Sequence, residues 1–284
     1  MRITTRAAAL AAGIALMLFI VAPTSRAAGW APAATAAIHP GVMTITSDGQ
    51  CTANFVFTNG GDVYIGQAAH CASTGGQTDT DGCSTGSQPL GTPVEVGGAS
   101  EQGTLVYSSW LTMQAAGESD PDTCAYNDLA LVRLSPNDAA NVNPSIPHWG
   151  GPVGVNTTGV PQFWSLYSYG NSSLRQGITL LSPKVGVGLD DTGSGWSHEV
   201  STLSPGIPGD SGSPFLDSSG KALGILSTLQ VGVPFVVSNG VGDIGREIDY
   251  ARSHVPALSG LALANGTEPF NSNQLPLDLA HPLG

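Results

Sequence analysis

The chain has 284 residues, of which only 11% are charged, and its formal net charge at pH 7 is −12. Such an acidic chain is a poor match for nucleic acid or for an anionic membrane surface. Its 38 glycines and 20 prolines disfavour long amphipathic helices, so the composition predicts an all-β protein with many turns.

Residues 1–27 have the pattern of a secretory signal peptide. The basic segment Met1–Arg6 precedes the apolar run Ala7–Ala22, and the small residues Ser25 and Ala27 suit cleavage after Ala27. Because the apolar run is shorter than the roughly 20 residues of a membrane-spanning helix, we expect a secreted protein with no stable membrane association. The 257 residues that remain carry a net charge of −15.

Short β-type runs separated by turn residues fill most of the remaining chain. These runs are Val42–Thr46, Thr52–Thr58, Val63–Gln67, Thr104–Ser108, Leu129–Leu134, Gln162–Tyr167, Ile178–Leu181, Lys184–Val187, Ala222–Leu226 and Val233–Val237. Asn59–Asp62 is a strong hairpin turn, and only Ile244–Arg252 has helical periodicity. Repeated short strands of this kind are typical of a β-sandwich or β-barrel.

Three further stretches set the expected organisation. Residues 28–41 are rich in Ala and Pro, and we interpret them as a lead or a short pro-segment. A Pro-, Asn- and Gly-rich connection at residues 135–159 divides the chain into two halves. Residues 256–284 show little periodicity, so we expect a loosely ordered tail there.

Four cysteines, Cys51, Cys71, Cys83 and Cys124, in an exported chain predict two disulfides. Cys51 lies before the predicted hairpin and Cys71 after it, so pairing of the strands would bring these two within bonding range. A zinc site usually contains close Cys-x-x-Cys pairs, and this sequence has none. We therefore expect no metal.

Gly209–Pro214 places Ser211 between glycines in a turn. Glycine tolerates positive φ, so this serine could be an exposed nucleophile beside backbone N–H groups that bind an anion. An ordinary turn has the same composition. The choice between the two depends on whether the chain also supplies a base.

His70 is the strongest candidate for that base, because it follows an apolar strand and precedes Cys71, whose disulfide would hold it still. A strand-end histidine beside a structural disulfide is the alternative. Asp128 begins the apolar run Leu129–Leu134 and could orient a histidine as a buried, hydrogen-bonded carboxylate; a turn aspartate is the alternative. We interpret His198 as a strand residue that faces solvent.

Three motifs together resemble the trypsin/chymotrypsin-like serine protease family, whose triad has the same His, Asp, Ser order. They are Ala-Ala-His-Cys ending at Cys71, Asn-Asp-Leu-Ala-Leu beginning at Asn127, and Gly-Asp-Ser-Gly-Ser-Pro beginning at Gly209. The resemblance implies two packed antiparallel β-barrels, at residues 42–140 and 141–255, with a short C-terminal helix in the second.

The resemblance also implies roles for individual residues. His70 would be the general base and then the general acid, Asp128 would orient it, and Ser211 would attack the carbonyl. The backbone N–H groups of Gly209 and Ser211 would form the oxyanion hole. The residues expected to bind the substrate are Pro205, Ser227, Thr228 and Leu229. Such an enzyme would be a monomer that needs no cofactor and cleaves protein or peptide substrates.

Departures from the family pattern mark where this chain should differ. Pro205 replaces the aspartate of trypsin-like enzymes, so we expect a small or apolar primary residue. No Arg/Lys-Ile-Val-Gly-Gly activation site is present, so we expect an internal cation, Arg175, to pair with Asp210. Ile207 replaces a common cysteine, which leaves Cys83–Cys124 as a less usual second bridge.

Competing interpretations have weaker support. The two Asp-Thr/Ser-Gly copies at Asp191 and Asp210 resemble aspartic proteases, but they are only 19 residues apart. A hydrolase triad of Ser211, Asp243 and His254 lacks the usual nucleophile turn, because Ser213 replaces its second glycine. Residues 79–82 could bind calcium but lack later acidic ligands. The non-enzymatic alternative is an exported, inactive binding protein on a protease-like fold.

Overall fold

The structure is a computed structural model that describes residues 29–75, 80–230 and 238–280. The predicted signal peptide and the predicted strand Val233–Val237 lie outside these ranges. Among the described residues, no helix is both long and apolar enough to cross a membrane.

Most of the regular secondary structure in the described ranges consists of β-strands joined by turns and loops. In chain order they are β1 (Met43–Thr46), β2 (Gly49–Thr52), β3 (Val56–Asn59), β4 (Asp62–Ala68), β5 (Pro93–Val96), β6 (Gly103–Ser108), β7 (Leu129–Arg133), β8 (Ser165–Tyr169), β9 (Pro183–Thr192), β10 (Ser197–Thr202), β11 (Pro214–Leu216), β12 (Ala222–Gln230), β13 (Ser238–Asp243) and β14 (Ala262–Leu263). The α-helices are α1 (Ser109–Ala116), α2 (Pro121–Tyr126), α3 (Pro136–Ala139) and α4 (Ile244–His254).

The strands form two antiparallel sheets. The first has eight strands in the order β14-β3-β4-β7-β6-β5-β1-β2, and the second is a closed barrel in the order β10-β13-β12-β11-β8-β9. The predicted all-β class and the C-terminal helix are therefore confirmed. In α4, Ile244, Ile248 and Ala251 are buried, as the helical periodicity predicted.

The predicted strand Thr52–Thr58 is interrupted, and the interruption curls the first sheet. Residues 53–55 leave β2 before β3 begins, and Asn54 and Phe55 exchange backbone hydrogen bonds with Gly66 of β4 at 2.8 and 2.9 Å. A Cβ on Gly66 would collide with the Asn54 side chain, so this close approach requires glycine. The bend brings β2 next to β4, which ends two residues before His70.

Several predictions of local structure were wrong. Residues Thr179–Leu181, predicted as a strand, form a short 3-10 helix. Helix α1 was not predicted, because it has no one-sided apolar stripe and its position is set by its two ends. The Ser108 hydroxyl accepts the Leu111 N–H at its start, and Gly117 adopts φ +67° at its end.

The tail was expected to be loosely ordered, and residues 256–280 contradict this. Strand β14 pairs with β3 at the edge of the first sheet. Beyond it, the Gly266 N–H donates to Pro152 O at 2.8 Å, and the Asn271 N–H donates to Trp149 O at 2.8 Å. Because these contacts are made by loops and single buried side chains such as Leu261, they leave no periodic pattern in the sequence.

Candidate active site

The ends of two paired strands bring His70 and Asp128 together. Ala68 at the end of β4 faces Leu129 at the start of β7, so the residues just beyond them meet at one edge of the sheet. His70 Nδ1 lies 2.7 Å from Asp128 Oδ2, and the His70 N–H donates to Asp128 Oδ1 at 2.9 Å. The carboxylate thus fixes both the ring and the backbone of the histidine.

Asp128 is buried and fully engaged by hydrogen-bond donors. Its side chain is 4% exposed. The Ser227 hydroxyl donates to Oδ2 at 2.6 Å, and the Asp128 N–H donates to Glu247 Oε1 at 2.8 Å. The donors from His70 and Ser227 satisfy the requirement that a buried carboxylate be hydrogen-bonded. The bond to Glu247 holds the Asp128 backbone instead.

Two opposing effects set the basicity of His70. Burial lowers the pKa of the imidazole, but the charge of Asp128 and its hydrogen bond raise it, and the net pKa lies above the ordinary value of 6.5. With Nδ1 directed at Asp128, Nε2 is left as the atom that can accept a proton.

The turn that carries Ser211 packs against the first sheet close to His70. From the first sheet, the Thr52 N–H donates to Ser211 O at 2.8 Å. On the barrel side, the Gly212 N–H donates to Leu226 O of β12 at 2.7 Å. Gly212 has φ +83°, and a Cβ there would lie 2.9 Å from Ala68 N, two residues before His70. Among the described residues, no hydrogen bond joins His70 Nε2 to Ser211 Oγ; such bonds commonly tighten only when substrate is bound.

The two predicted oxyanion donors are unoccupied by protein acceptors. Within the described ranges, neither the Gly209 N–H nor the Ser211 N–H has a hydrogen-bond acceptor. Gly209 adopts φ +94°, a conformation that favours glycine. Two adjacent free N–H groups beside a serine side chain can bind a negatively charged oxygen.

Asp210 is the anion of a buried ion cluster beneath this turn. Arg175 donates to both carboxylate oxygens, through Nη1 to Oδ1 and at 2.7 Å through Nη2 to Oδ2. Lys184 Nζ lies 3.2 Å from Oδ2 and also donates to the Ser204 and Pro205 carbonyls. Arg175 therefore pairs with Asp210 as expected from the sequence, while the pairing of Lys184 was not predicted.

The cluster favours an ionised Asp210. Burial alone would raise the pKa of the carboxyl, but the bonds and charges of Arg175 and Lys184 outweigh it and hold the pKa below its ordinary value. Burial lowers the pKa of Lys184, and Asp210 opposes that effect. One buried carboxylate is thus paired with two basic side chains, Arg175 and Lys184.

Asn239 bridges the two segments that were predicted to line the substrate pocket. Its Oδ1 accepts the Gly206 N–H at 3.1 Å, next to Pro205, and its Nδ2 donates to Thr228 O at 3.2 Å. A Cβ on Gly206 would lie 2.7 Å from the Leu226 side chain. Ser227 and Thr228 are half-buried on β12, while Leu229 is exposed.

Both predicted disulfides are present. Cys51 is bonded to Cys71, which joins β2 to the residue after His70. Cys83 is bonded to Cys124 at the middle of α2. The first bond therefore tethers the candidate base directly to the strand that contacts the Ser211 turn.

Glu247 and Lys184 contact the candidate site from distant elements and were not predicted. Glu247 lies on α4 and is fully buried beneath Asp128. Lys184 lies on β9, inside a run that had been assigned as a strand. A lysine within an apolar run is a usable signal in a chain with only nine Lys and Arg. The helical periodicity places Glu247 one turn before the buried Ala251, but the sequence does not show that its partner is Asp128.

His198 was predicted to face solvent, and that prediction is wrong. It is buried, with Nδ1 2.6 Å from Asp191 Oδ1 and Nε2 3.0 Å from Asp243 Oδ2. Asp191 and Asp243 are thus engaged away from Ser211, and His254 stacks on Tyr250 instead. These contacts separate the residues that the aspartic protease and hydrolase alternatives need together.

Comparisons place the fold among known structures. No family model and no curated protein matches the sequence. Protease A from Thermobifida fusca is 17% identical, with a TM-score of 0.50 over 81% of this chain and 99% of its own. A glutamic-acid-specific serine protease is 16% identical, with a TM-score of 0.50 over 80% and 100%. The chain has the chymotrypsin-like fold of these bacterial proteases.

Proposed function

We propose that the protein is a serine endopeptidase that cleaves peptide bonds through an acyl-enzyme. The observation that carries the proposal is the convergence of the Asp128–His70 pair and the Ser211 turn, with its two free N–H groups, at one junction between the sheets. The fold adds support, because solved structures that share it include a protease and a glutamic-acid-specific serine protease. Each group needed for nucleophilic acyl transfer has a candidate residue.

The reaction begins when Ser211 Oγ attacks the scissile carbonyl carbon and its proton passes to His70 Nε2. The carbonyl electron pair moves onto oxygen, which the Gly209 and Ser211 N–H groups stabilise. Asp128 stabilises the imidazolium. Collapse of the tetrahedral intermediate breaks the C–N bond, the leaving amine takes the proton from His70, and water later releases the acyl group by the same steps.

The expected substrate is a protein or peptide with a small or apolar primary residue. Pro205, Ser227, Thr228 and Leu229 would line the pocket and pair with substrate backbone. A carboxylate that would select Arg or Lys is missing at Pro205. The amide of Asn239 links Gly206 to Thr228, so it holds together the two segments that would line the pocket.

The Ser211 turn needs no newly formed N-terminus as an ion-pair partner for Asp210. Asp210 already has two internal cations, Arg175 and Lys184. We infer that removal of the predicted signal peptide and lead does not switch this ion pair on. The enzyme would act outside the cell as a monomer without a cofactor, where its two disulfides persist.

Labelling with a fluorophosphonate tests the proposal, because this reagent phosphonylates an activated serine. The wild-type protein should gain one adduct on the peptide that contains Ser211, and Ser211→Ala and His70→Ala should lose it. The exposed Ser218, seven residues further along, supplies a matched control, and Ser218→Ala should label normally. A folded wild-type protein that takes up no reagent would instead favour the inactive binding protein.

A further inference from the structure

The Pro208–Gly209 and Asp210–Ser211 peptides supply the two free N–H groups of the proposed oxyanion hole. In a planar trans peptide the C=O and N–H bonds point in opposite directions. The partner of each carbonyl therefore decides where the corresponding N–H points. The hydrogen bonds of the Pro208 and Asp210 carbonyls therefore show what orients the Gly209 and Ser211 N–H groups.

The Asp210 carbonyl is held by the main chain. It accepts the Ser213 N–H at 2.9 Å and the Ser213 hydroxyl at 2.5 Å. Loss of the hydroxyl would leave the backbone bond in place. The Ser211 N–H is therefore directed by the turn itself.

The Pro208 carbonyl depends on a side chain from another element. Among the described residues its hydrogen-bond donor is the Ser172 hydroxyl, at 2.5 Å. Ser172 is fully buried, and its Oγ accepts the Leu174 N–H at 3.1 Å. That bond takes one lone pair of the hydroxyl and directs its single proton to Pro208.

Because Gly209 follows it, the Pro208 carbonyl can rotate unless a hydrogen bond fixes its direction. A flip of the preceding peptide changes ψ of Pro208 and φ of Gly209, and glycine populates both signs of φ. Gln50 Nε2 and Thr52 Oγ1 bind Gly209 O at 3.1 and 2.9 Å. They fix the peptide after Gly209, but the peptide that carries its N–H is held at Pro208.

The geometry points to Ser172 as the positioning residue for the Gly209 N–H in the oxyanion hole. This inference rests on the proposed function, since it assigns a task within that hole. Ser172 does not contact the substrate. It acts by keeping the Pro208 carbonyl turned away from the site, so that the Gly209 N–H faces the developing oxyanion.

Ser172→Ala tests the inference, with Ser213→Ala as the matched control that also removes a buried hydroxyl from a carbonyl of this turn. Complete loss of an oxyanion donor costs about 100- to 1,000-fold in kcat, so partial misorientation should cost about 10- to 100-fold. KM should stay nearly constant. Ser172→Thr keeps the hydroxyl and should restore most of kcat, and Ser213→Ala should lose much less than Ser172→Ala.

Inhibitor binding separates positioning from general damage. A peptide aldehyde forms a tetrahedral adduct with an oxyanion, whereas the matching peptide alcohol does not. Ser172→Ala should weaken the aldehyde by the same factor as kcat/KM and leave the alcohol unchanged. Equal weakening of both inhibitors, or an unchanged kcat, would overturn the role of Ser172. A wild-type protein with neither turnover nor fluorophosphonate labelling would instead remove the proposed function.

Discussion

At the scale of a single residue, Asp128 sets the pKa and the orientation of the proposed base, His70. Its charge and hydrogen bond raise the pKa of His70 against the opposing effect of burial. The neutral imidazole is the reactive form, so kcat/KM should rise with pH through a value above the ordinary 6.5.

Asp128→Asn should lower kcat by about 10,000-fold, because the amide favours the wrong histidine tautomer. It should also shift the acid limb of kcat/KM to lower pH, since the attraction that raises the pKa of His70 is gone. A pH series on both proteins measures this. Asp249→Asn, at an exposed carboxylate 77% accessible to solvent, should change neither quantity. An unshifted limb would show that Asp128 does not set the basicity of His70.

Glu247 should affect how the free energy of unfolding depends on pH. Burial raises the pKa of its carboxyl well above the ordinary value; the Asp128 N–H opposes this and the nearby charges of Asp128 and Asp243 add to it. Above the unfolded pKa of about 4.3, the folded protein therefore holds more protons than the unfolded chain. Its contribution to stability falls as pH rises toward the folded pKa.

Glu247→Gln should remove this decline, because the amide stays neutral and its oxygen still accepts the Asp128 N–H. Urea unfolding at about pH 5 and about pH 8 should show the Gln variant gaining on the wild type as pH rises. The exposed Glu268→Gln is the matched control and should follow the wild type. A wild-type-to-Gln difference that is constant with pH would mean that Glu247 is ionised in the folded state.

At the scale of elements, strand β2 connects the candidate base with the oxyanion turn. Its Gln50 and Thr52 side chains bind Gly209 O, its Thr52 N–H binds Ser211 O, and its Cys51 is bonded to Cys71. One short strand thus contacts the nucleophile turn and is covalently tied to the residue after His70.

The two disulfides should therefore differ in their effect on catalysis. The chain-entropy model gives about 3 kcal/mol for the 20-residue separation of Cys51 and Cys71, and about 4 kcal/mol for the 41-residue separation of Cys83 and Cys124. Replacing either pair with alanine should lower the free energy of unfolding by such amounts. Only loss of Cys51–Cys71 should also lower kcat at a temperature where both variants stay folded. Equal kcat values would show that β2 does not hold the site.

Local sequence patterns predicted the parts of the candidate site that lie next to strand ends or in the glycine turn. His70 and Asp128 each border a clear apolar run, and Ser211 lies in a distinctive glycine turn. Ser172, Lys184 and Glu247 were not predictable in the same way. Each acts on a partner from a distant part of the chain, and their own neighbourhoods are an ordinary loop, strand and helix. Such contacts depend on the packing of whole elements, which a single sequence does not reveal.

At the scale of the whole molecule, the C-terminal segment ties the two halves together. Strand β14 extends the first sheet, while Phe270 packs its ring against Tyr167 of the barrel at 5.2 Å between centroids. The Ser145 hydroxyl in the connection accepts the N–H groups of Thr267 and Glu268 at 2.9 and 3.0 Å. The segment therefore contributes to the fold.

Leu261 is fully buried just before β14, so its substitution tests how much the C-terminal segment contributes to stability. Leu261→Ala should lower the free energy of unfolding by about 2 to 5 kcal/mol, the usual cost of emptying a buried leucine site. Leu275→Ala, further along the same segment at 65% exposure, should change it by less than about 0.5 kcal/mol. Chemical denaturation measures both. Equal, small effects would mean that the segment is not part of the cooperative fold.

Digestion of an unfolded protein tests the central claim most directly. The purified protein is incubated with a reduced and alkylated substrate, and the new peptide ends are identified by mass spectrometry. We expect cleavage after small or apolar residues, full loss of cleavage in Ser211→Ala, and normal cleavage in Ser218→Ala. Cleavage that persists in Ser211→Ala, or no cleavage by the folded wild-type protein, would contradict the assignment of a serine endopeptidase.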